Sequence, residues 1–201
     1  VTVIRLAAAR GHVDVLKWLI GSDEDNKRRM RAIEVAAECG HLHVIQSLAA
    51  NQSIDVSLPF YRAALYGQLR VVKWLILTYP EIKDMGKAKT GTFIDAAAKN
   101  GHLDVVKFLI EELPEAKSSF GQAFIAAAKG GHIDVMEWLA SAREDDDVKN
   151  VDTLSKALYV AALDGHLDAV KWLVGCGART DDNCVLLSAV DNGHNDVVKF
   201  L

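Results

Sequence analysis

The chain contains few residues that could form disulfides or interrupt helices and strands: 3 of its 201 residues are cysteine and 3 are proline. The cysteines, Cys39, Cys176 and Cys184, form no C-x-x-C pair and no even set. This argues against a disulfide-stapled secreted scaffold and favours a reducing compartment. We therefore expect a protein of the cytoplasm or the nucleus.

Long apolar runs and an excess of one charge are missing as well. A membrane-spanning helix needs about 18 or more consecutive apolar residues, and the sequence has no such stretch. The formal net charge is −4, with 23 basic residues scattered among 27 acidic ones. A nucleic-acid-binding surface would gather its basic residues on one face. The sequence therefore predicts neither a membrane nor a nucleic acid as the partner.

What the sequence does contain is a 13-residue pattern that recurs seven times. It reads AAARGHVDVLKWL in the first copy, which ends at Leu19, and AAKNGHLDVVKFL in the fourth, which ends at Leu109. Each copy has glycine at its fifth position, and these glycines are 27 to 34 residues apart: Gly11, Gly40, Gly67, Gly101, Gly131, Gly165 and Gly193. Such a period indicates an array of small structural repeats.

Each part of the pattern has a physical interpretation. Alanine pairs before the glycine favour a short helix that neighbouring backbones can approach closely. The glycine ends this helix, because the residue after a helix often adopts a left-handed conformation. Apolar residues after it, such as Val105, Val106 and Leu109, mark one face of a second helix. Helices this short are marginal in isolation, so each pair must pack on the next pair.

These residues resemble the ankyrin repeat. The second half of the motif is strong in every copy. The T-P-L-H-x-A opening of the family is eroded: Thr2 and Thr92 keep its threonine and Pro59 its proline. No copy keeps the histidine, and that position is occupied by Arg5, Glu34, Tyr61, Asp95, Ile125, Tyr159 and Leu187.

The resemblance predicts an all-α ankyrin-repeat solenoid of stacked helix–turn–helix pairs, joined by short irregular loops. We expect a single array over residues 1–201. Its seven repeats are expected at about 1–21, 22–50, 51–79, 80–111, 112–142, 143–175 and 176–201. The chain starts without methionine and stops within a copy of the pattern, so we expect the native sequence to continue beyond both ends or the two ends to pair with another molecule.

Residues that could carry catalysis or bind metal recur with the pattern. Histidine follows the glycine in six copies and Gln68 replaces it in the third. A catalytic histidine would be unique, so we expect these side chains to bond the backbone at the repeat junctions. The string Cys39, His41, His43 is a weak alternative as a zinc site. No phosphate loop or nucleophile motif is present. We therefore predict no catalytic residue, no metal and no cofactor.

Two further patterns have a structural and a functional interpretation. Trp18, Trp74, Trp138 and Trp172 share one position of the second helix with Phe108 and Phe200, and are expected to form a ladder between successive second helices. The alternative is a platform for stacking bases. The basic run at 27–31 is expected to be a solvated loop; a nuclear-import signal or the basic half of a kinase-docking motif is the alternative.

The resemblance also implies where a partner binds. In the family, the concave face is formed by loop tips and the exposed ends of the first helices. The two residues before each glycine map to those ends. Leu65 and Tyr66 are both apolar there, and tyrosine is frequent at binding hot spots. We predict a partner-binding site of Tyr61, Leu65, Tyr66, Lys99, Asn100 and Lys129. The alternative is that Leu65 and Tyr66 pack beneath a loop at 77–91.

The function predicted from the sequence is a monomeric scaffold that binds a target protein. The short repeats look like arrays of protists and giant viruses, which favours a pathogen effector acting on host proteins inside the host cell. One alternative is a substrate-recruiting region of a larger enzyme or ubiquitin-ligase adaptor. A structural spacer is another, and it would have a featureless concave face.

Overall fold

Fourteen α-helices form seven helix–turn–helix pairs in the part of the chain that the computed structural model describes, residues 2–21, 26–50, 54–113, 119–142, 150–180 and 183–201. No β-strand occurs in those residues. The prediction of an all-α architecture built from helix–turn–helix pairs is confirmed. The chain divides into two compact units, residues 1–86 and 87–201.

The first unit contains three helix pairs followed by a short 3₁₀ helix at Pro80–Asp84. In chain order the helices are α1 (Thr2–Ala9), α2 (Val13–Ile20), α3 (Asn26–Glu38), α4 (Leu42–Ala49), α5 (Ser57–Leu65) and α6 (Leu69–Thr78). The first helices of the pairs, α1, α3 and α5, pack side by side, and α2 packs on α4.

The second unit contains four pairs. Its helices are α7 (Lys87–Lys99), α8 (Leu103–Glu112), α9 (Phe120–Gly130), α10 (Ile133–Ser141), α11 (Val151–Leu163), α12 (Leu167–Gly175), α13 (Asn183–Asp191) and α14 (Asn195–Phe200). The odd-numbered first helices again pack in sequence, and so do the even-numbered second helices. Each unit is therefore a stack of pairs. That both units form one continuous array remains a prediction.

The turn inside each pair is a Schellman motif. In the fifth pair, the Gly131 amide donates to the Ala128 carbonyl at 3.1 Å, and the His132 amide donates to the Ala127 carbonyl at 3.0 Å. Gly131 has φ +74°, the left-handed conformation predicted for it. The two alanines accept these bonds while fully buried between neighbouring first helices. The A-A-x-x-G-H pattern is therefore one closed turn.

The core follows the periodicity of the second helices. On α8, Val105, Val106 and Leu109 are fully buried, while Asp104 points into solvent. The Asp104 carboxylate accepts a hydrogen bond from the Val105 amide at 2.8 Å, in the first turn, where the helix dipole favours a negative charge. Each such aliphatic side chain contributes about 1.5–3 kcal/mol on burial.

Two predictions about local structure were wrong. The basic run at 27–31 lies within helix α3, and Arg29 is 5% exposed because the helix turns it toward the interior. The stretch 77–91 is mostly helical, because Pro80 starts a 3₁₀ helix and α7 begins at Lys87.

The tryptophan ladder also differs from its prediction. Trp138 stacks on Phe120 of first helix α9, with ring centroids 6.5 Å apart, and the Lys107 ammonium lies 5.6 Å from the Trp138 ring centre. Trp172 packs against Phe124 of α9 at 6.1 Å. Trp18 is 80% exposed. Trp138 and Trp172 therefore pack against phenylalanines of first helix α9, while Trp74 meets Tyr79, just after its own helix, at 5.9 Å.

Candidate functional site

In the second, third, sixth and seventh repeats, the side chain that follows the turn glycine makes a hydrogen bond to the preceding repeat. Its Nε2 donates a hydrogen bond to the carbonyl oxygen two positions before the preceding turn glycine. The donors and acceptors are His41 and Ala9 (2.9 Å), Gln68 and Glu38 (3.0 Å), His166 and Lys129 (3.0 Å), and His194 and Leu163 (2.9 Å). These carbonyls are at helix ends, where no partner exists within the helix. The predicted structural role is therefore confirmed for these side chains.

Gln68 explains how the third repeat dispenses with histidine. A glutamine amide can donate the same hydrogen bond as an imidazole N–H. It also occupies the same space, because a Cβ added to Gly40 would overlap the Gln68 amide, just as one on Gly131 would lie 2.7 Å from Nδ1 of His166. The motif therefore selects a flat donor of this length and not an acid–base group.

The Cys39, His41, His43 string is accounted for by the same contacts. The Nε2 atom of His43 lies 3.0 Å from the Gly11 carbonyl, and the two imidazole rings meet edge to face at 5.8 Å. No group of three potential metal ligands occurs in the residues that the structure describes. Both rings thus hold the first turn of the stack.

The first three predicted binding residues lie at the end of α5. Tyr61 and Leu65 are half-buried one helical turn apart, and Tyr66 begins the turn with 43% of its surface exposed. Glu38 of α3 forms an ion pair with Arg62 at 3.8 Å beside them. Tyr66 is therefore available to a partner, whereas Tyr61 and Leu65 contribute part of their surface to the stack.

The other three lie in the second unit, at the adjacent ends of α7 and α9. Lys99 and Asn100 are exposed and Lys129 is half-buried. A Cβ added to Gly130 would overlap the Lys99 carbonyl, so the two helix ends are in direct contact. The Asn100 side chain donates to the Ala96 carbonyl at 2.8 Å and is partly committed to its own helix. The ammonium groups carried by this end give it positive charge.

A comparison with known protein families identifies the type of repeat to which these helix pairs and turns correspond. A family model described as ankyrin repeats in three copies matches residues 60–152 and 124–201, which together cover more than two thirds of the chain. The chain belongs to the ankyrin repeat family. Residues 1–59 lie outside the matched stretches, although they carry two copies of the same glycine turn. No curated protein matches the chain at a significant level.

Ankyrin repeats generally act as protein-interaction modules. The pKa values of two thiols in this chain are shifted away from those of a reactive cysteine. Cys39, Cys176 and Cys184 are all exposed. Partial burial and the neighbouring Glu38 raise the pKa of Cys39, and burial and Glu137 raise the pKa of Cys176. A raised pKa keeps both thiols protonated near neutral pH, which is the opposite of an activated nucleophile. Among the described helices, none is long and apolar enough to cross a membrane.

A second surface of this ankyrin unit was not singled out from the sequence. A pocket of about 680 Å³ lies across α9, α11 and α13, lined by Gln122, Ile125, Asp152, Ser155, Lys156, Tyr159, Val160, Arg179 and Val185. Ile125 and Tyr159 occupy the position of the family's histidine. An apolar residue at that position was visible in the sequence and could have indicated the pocket. The positions of Lys156 and Arg179 could not, because they depend on how the helices pack.

One acid in the first-helix row is unusually placed. Asp95 of α7 takes the family's histidine position, and its Oδ1 is buried without a hydrogen-bond partner in the described part of the chain. Burial raises the pKa of Asp95 from 3.8 to about 6. Since the unfolded chain ionises this group at lower pH, the folded chain binds more protons between about pH 4 and pH 6. Folding stability contributed by Asp95 therefore falls as pH rises through this window.

We expect Asp95→Asn to stabilise the protein at neutral pH by about 1–2 kcal/mol, after allowance for the exposed part of the side chain. The gain should shrink as the pH falls below about 6 and vanish near about pH 3, where the wild-type carboxyl is protonated in both states. Urea unfolding at both pH values measures this. Asp134→Asn, an exposed acid in the first turn of α10, is the matched control and should give no such pH-dependent gain. Equal gains at both pH values for Asp95→Asn would show that the carboxylate is not desolvated.

Proposed function

We propose that the chain binds a target protein through the exposed ends of its first helices, the face that is concave in ankyrin arrays. The contact residues are Tyr61, Leu65 and Tyr66 in the first unit and Lys99, Asn100 and Lys129 in the second. The observation that carries the proposal is the exposure of Tyr66 on a rigid turn. An aromatic side chain that is 43% exposed gains contact area on binding and loses little conformational freedom.

The turns support the proposal because they are fixed independently of any partner. Each is closed by two backbone hydrogen bonds, and His41, Gln68, His166 and His194 each connect a turn to the preceding one. A preorganised surface loses little entropy on binding. The side chains next to the glycines differ from repeat to repeat, so they can specify a target without disturbing the frame.

The proposal is tested by affinity capture from native or host-cell lysate with Tyr66→Ala/Lys99→Ala and the wild type. Truncating a tyrosine hot spot costs about 2 kcal/mol or more, so the double variant should bind its target at least about thirtyfold more weakly. Captured proteins are identified by mass spectrometry, and the dissociation constant of the purified target is measured by calorimetry.

Leu77→Ala/Lys171→Ala provides the matched control. Both residues are exposed on second helices, and Leu77 is 80% exposed. This variant should bind the target like the wild type. Equal binding by wild type and Tyr66→Ala/Lys99→Ala, with circular dichroism unchanged, would overturn the proposed site. Loss in the control variant alone would place the interface on the second helices.

A further inference from the structure

The pocket across α9, α11 and α13 combines an apolar floor with two cations. Ile125, Val160 and Val185 contribute aliphatic surface, and Tyr159 lies among them with 40% of its surface exposed. Leu187 of α13 takes the same repeat position as Ile125 and Tyr159 and is 57% exposed. Such exposed apolar side chains, adjacent on packed helices, are typical of an interaction surface.

Lys156 and Arg179 supply the positive charge of the pocket. Both are exposed, and neither forms an ion pair or a side-chain hydrogen bond with any residue in the parts of the chain that are described. Asp152 is the carboxylate among the lining residues, so the lining carries two cations against one anion. The guanidinium fork of an arginine matches the geometry of a carboxylate.

The charge of the lining limits how acidic the ligand can be. Lys156 and Arg179 stand against the single carboxylate of Asp152, which leaves one positive charge of the lining uncompensated. A ligand with one carboxylate balances that charge. The lining therefore fits a ligand with one acid.

The size of the surface indicates an extended chain. Packed helices are about 8–10 Å apart, so three successive first helices span roughly 16–20 Å. An extended peptide covers that distance with about five or six residues. Alternate side chains of such a peptide point to one side, and the apolar side chains of this surface recur from helix to helix.

We propose that this pocket binds an extended segment of a partner protein in which one Asp or Glu side chain stands among aliphatic residues. The carboxylate pairs with Arg179 and Lys156, and the aliphatic side chains cover Ile125, Tyr159 and Val185. This site uses none of the contact residues proposed above. It is a second binding surface, within the second unit, and it defines the chemistry of its ligand.

The test is selection of random phage-displayed peptides of about twelve residues, long enough to cross the pocket at ~3.3 Å per residue, against the full chain. Enriched peptides should carry one Asp or Glu among Leu, Ile or Val. Synthetic peptides in which the acid is replaced by its amide should bind the wild-type protein at least about tenfold more weakly. The unchanged peptides should lose a similar factor in affinity for the Lys156→Glu/Arg179→Glu variant. Tyr159→Ala should weaken the same peptides while leaving their preference for the acid.

The control is Lys171→Glu/Lys199→Glu, which changes the net charge equally on second helices that do not line the pocket. It should bind the selected peptides like the wild type. Absence of enrichment, enrichment of basic peptides, or equal loss in this control would overturn the proposal. Because the peptides are selected without any cellular target, this result is separate from capture through Tyr66 and Lys99, and either site can fail while the other stands.

Discussion

Gly165→Ala is expected to lower the free energy of unfolding by about 2–4 kcal/mol, far more than an alanine substitution in a solvent-exposed turn. Gly165 has φ +77°, where any Cβ adds strain of about 1–2 kcal/mol. A Cβ at this position would also overlap the His194 ring, which crosses the turn to donate to the Leu163 carbonyl. The backbone strain and the overlap with the His194 ring both arise from the added Cβ. Urea unfolding followed by circular dichroism measures the sum of the two destabilising effects.

Gly193→Ala separates the two contributions. Gly193 has nearly the same dihedral angle, φ +75°, but no atom lies within 4 Å of an added Cβ. It should show the conformational cost of about 1–2 kcal/mol without the overlap. In a His194→Ala background, the cost of Gly165→Ala should fall to the level of Gly193→Ala. Equal costs for Gly165→Ala and Gly193→Ala in the wild-type background would mean that the ring does not constrain the glycine.

The pair of helices and the turn could be predicted from the sequence because their causes are local. Glycine after a helix, alanines that accept the closing hydrogen bonds, and an apolar face on α8 all depend on residues a few positions apart. The contact from His166 to the Lys129 carbonyl spans 37 residues. It was still predictable, because the histidine recurs at one position of every repeat except the third, where Gln68 provides an equivalent donor.

Features that depend on neighbouring helices could not be predicted in this way. The basic run at 27–31 suggested a solvated loop, yet helical periodicity buries Arg29 while Arg28 and Arg31 stay exposed. The tryptophans share one position of the motif, but Trp18 is 80% exposed and Trp138 stacks on Phe120. The periodicity of the sequence indicates which face of a helix carries a side chain. The packing of neighbouring helices determines which residues that side chain contacts.

The binding surface is predictable to the same limited extent. Exposure of Tyr66 follows from its place beside the glycine, which the sequence shows. The pocket beneath Tyr159 requires three first helices to lie side by side, and Arg179 reaches it from the segment after α12. Family resemblance indicates the face and not the residues, because ankyrin arrays use one scaffold for unrelated targets.

Phe124→Ala is expected to cost about 3–5 kcal/mol, the largest effect of a single truncation that we anticipate. Phe124 is fully buried on α9, whose neighbours in the row of first helices are α7 and α11. Its ring also lies 6.1 Å from that of Trp172, so truncation removes contacts in two successive repeats. In a stack, stability is close to a sum of repeat and interface terms, and this change reduces both.

The matched comparison is Phe200→Ala, the same truncation at a ring that is 41% exposed. It should cost about 1–2 kcal/mol, clearly less than Phe124→Ala, because a large part of this ring is already in water in the folded chain. Urea unfolding read by circular dichroism gives both values, and tryptophan fluorescence should shift to the red in Phe124→Ala as Trp172 loses its partner. Similar costs for the two variants would contradict the packing described for α9. A large cost confined to Phe124→Ala would show that α9 is held between α7 and α11 in the row of first helices of the second unit.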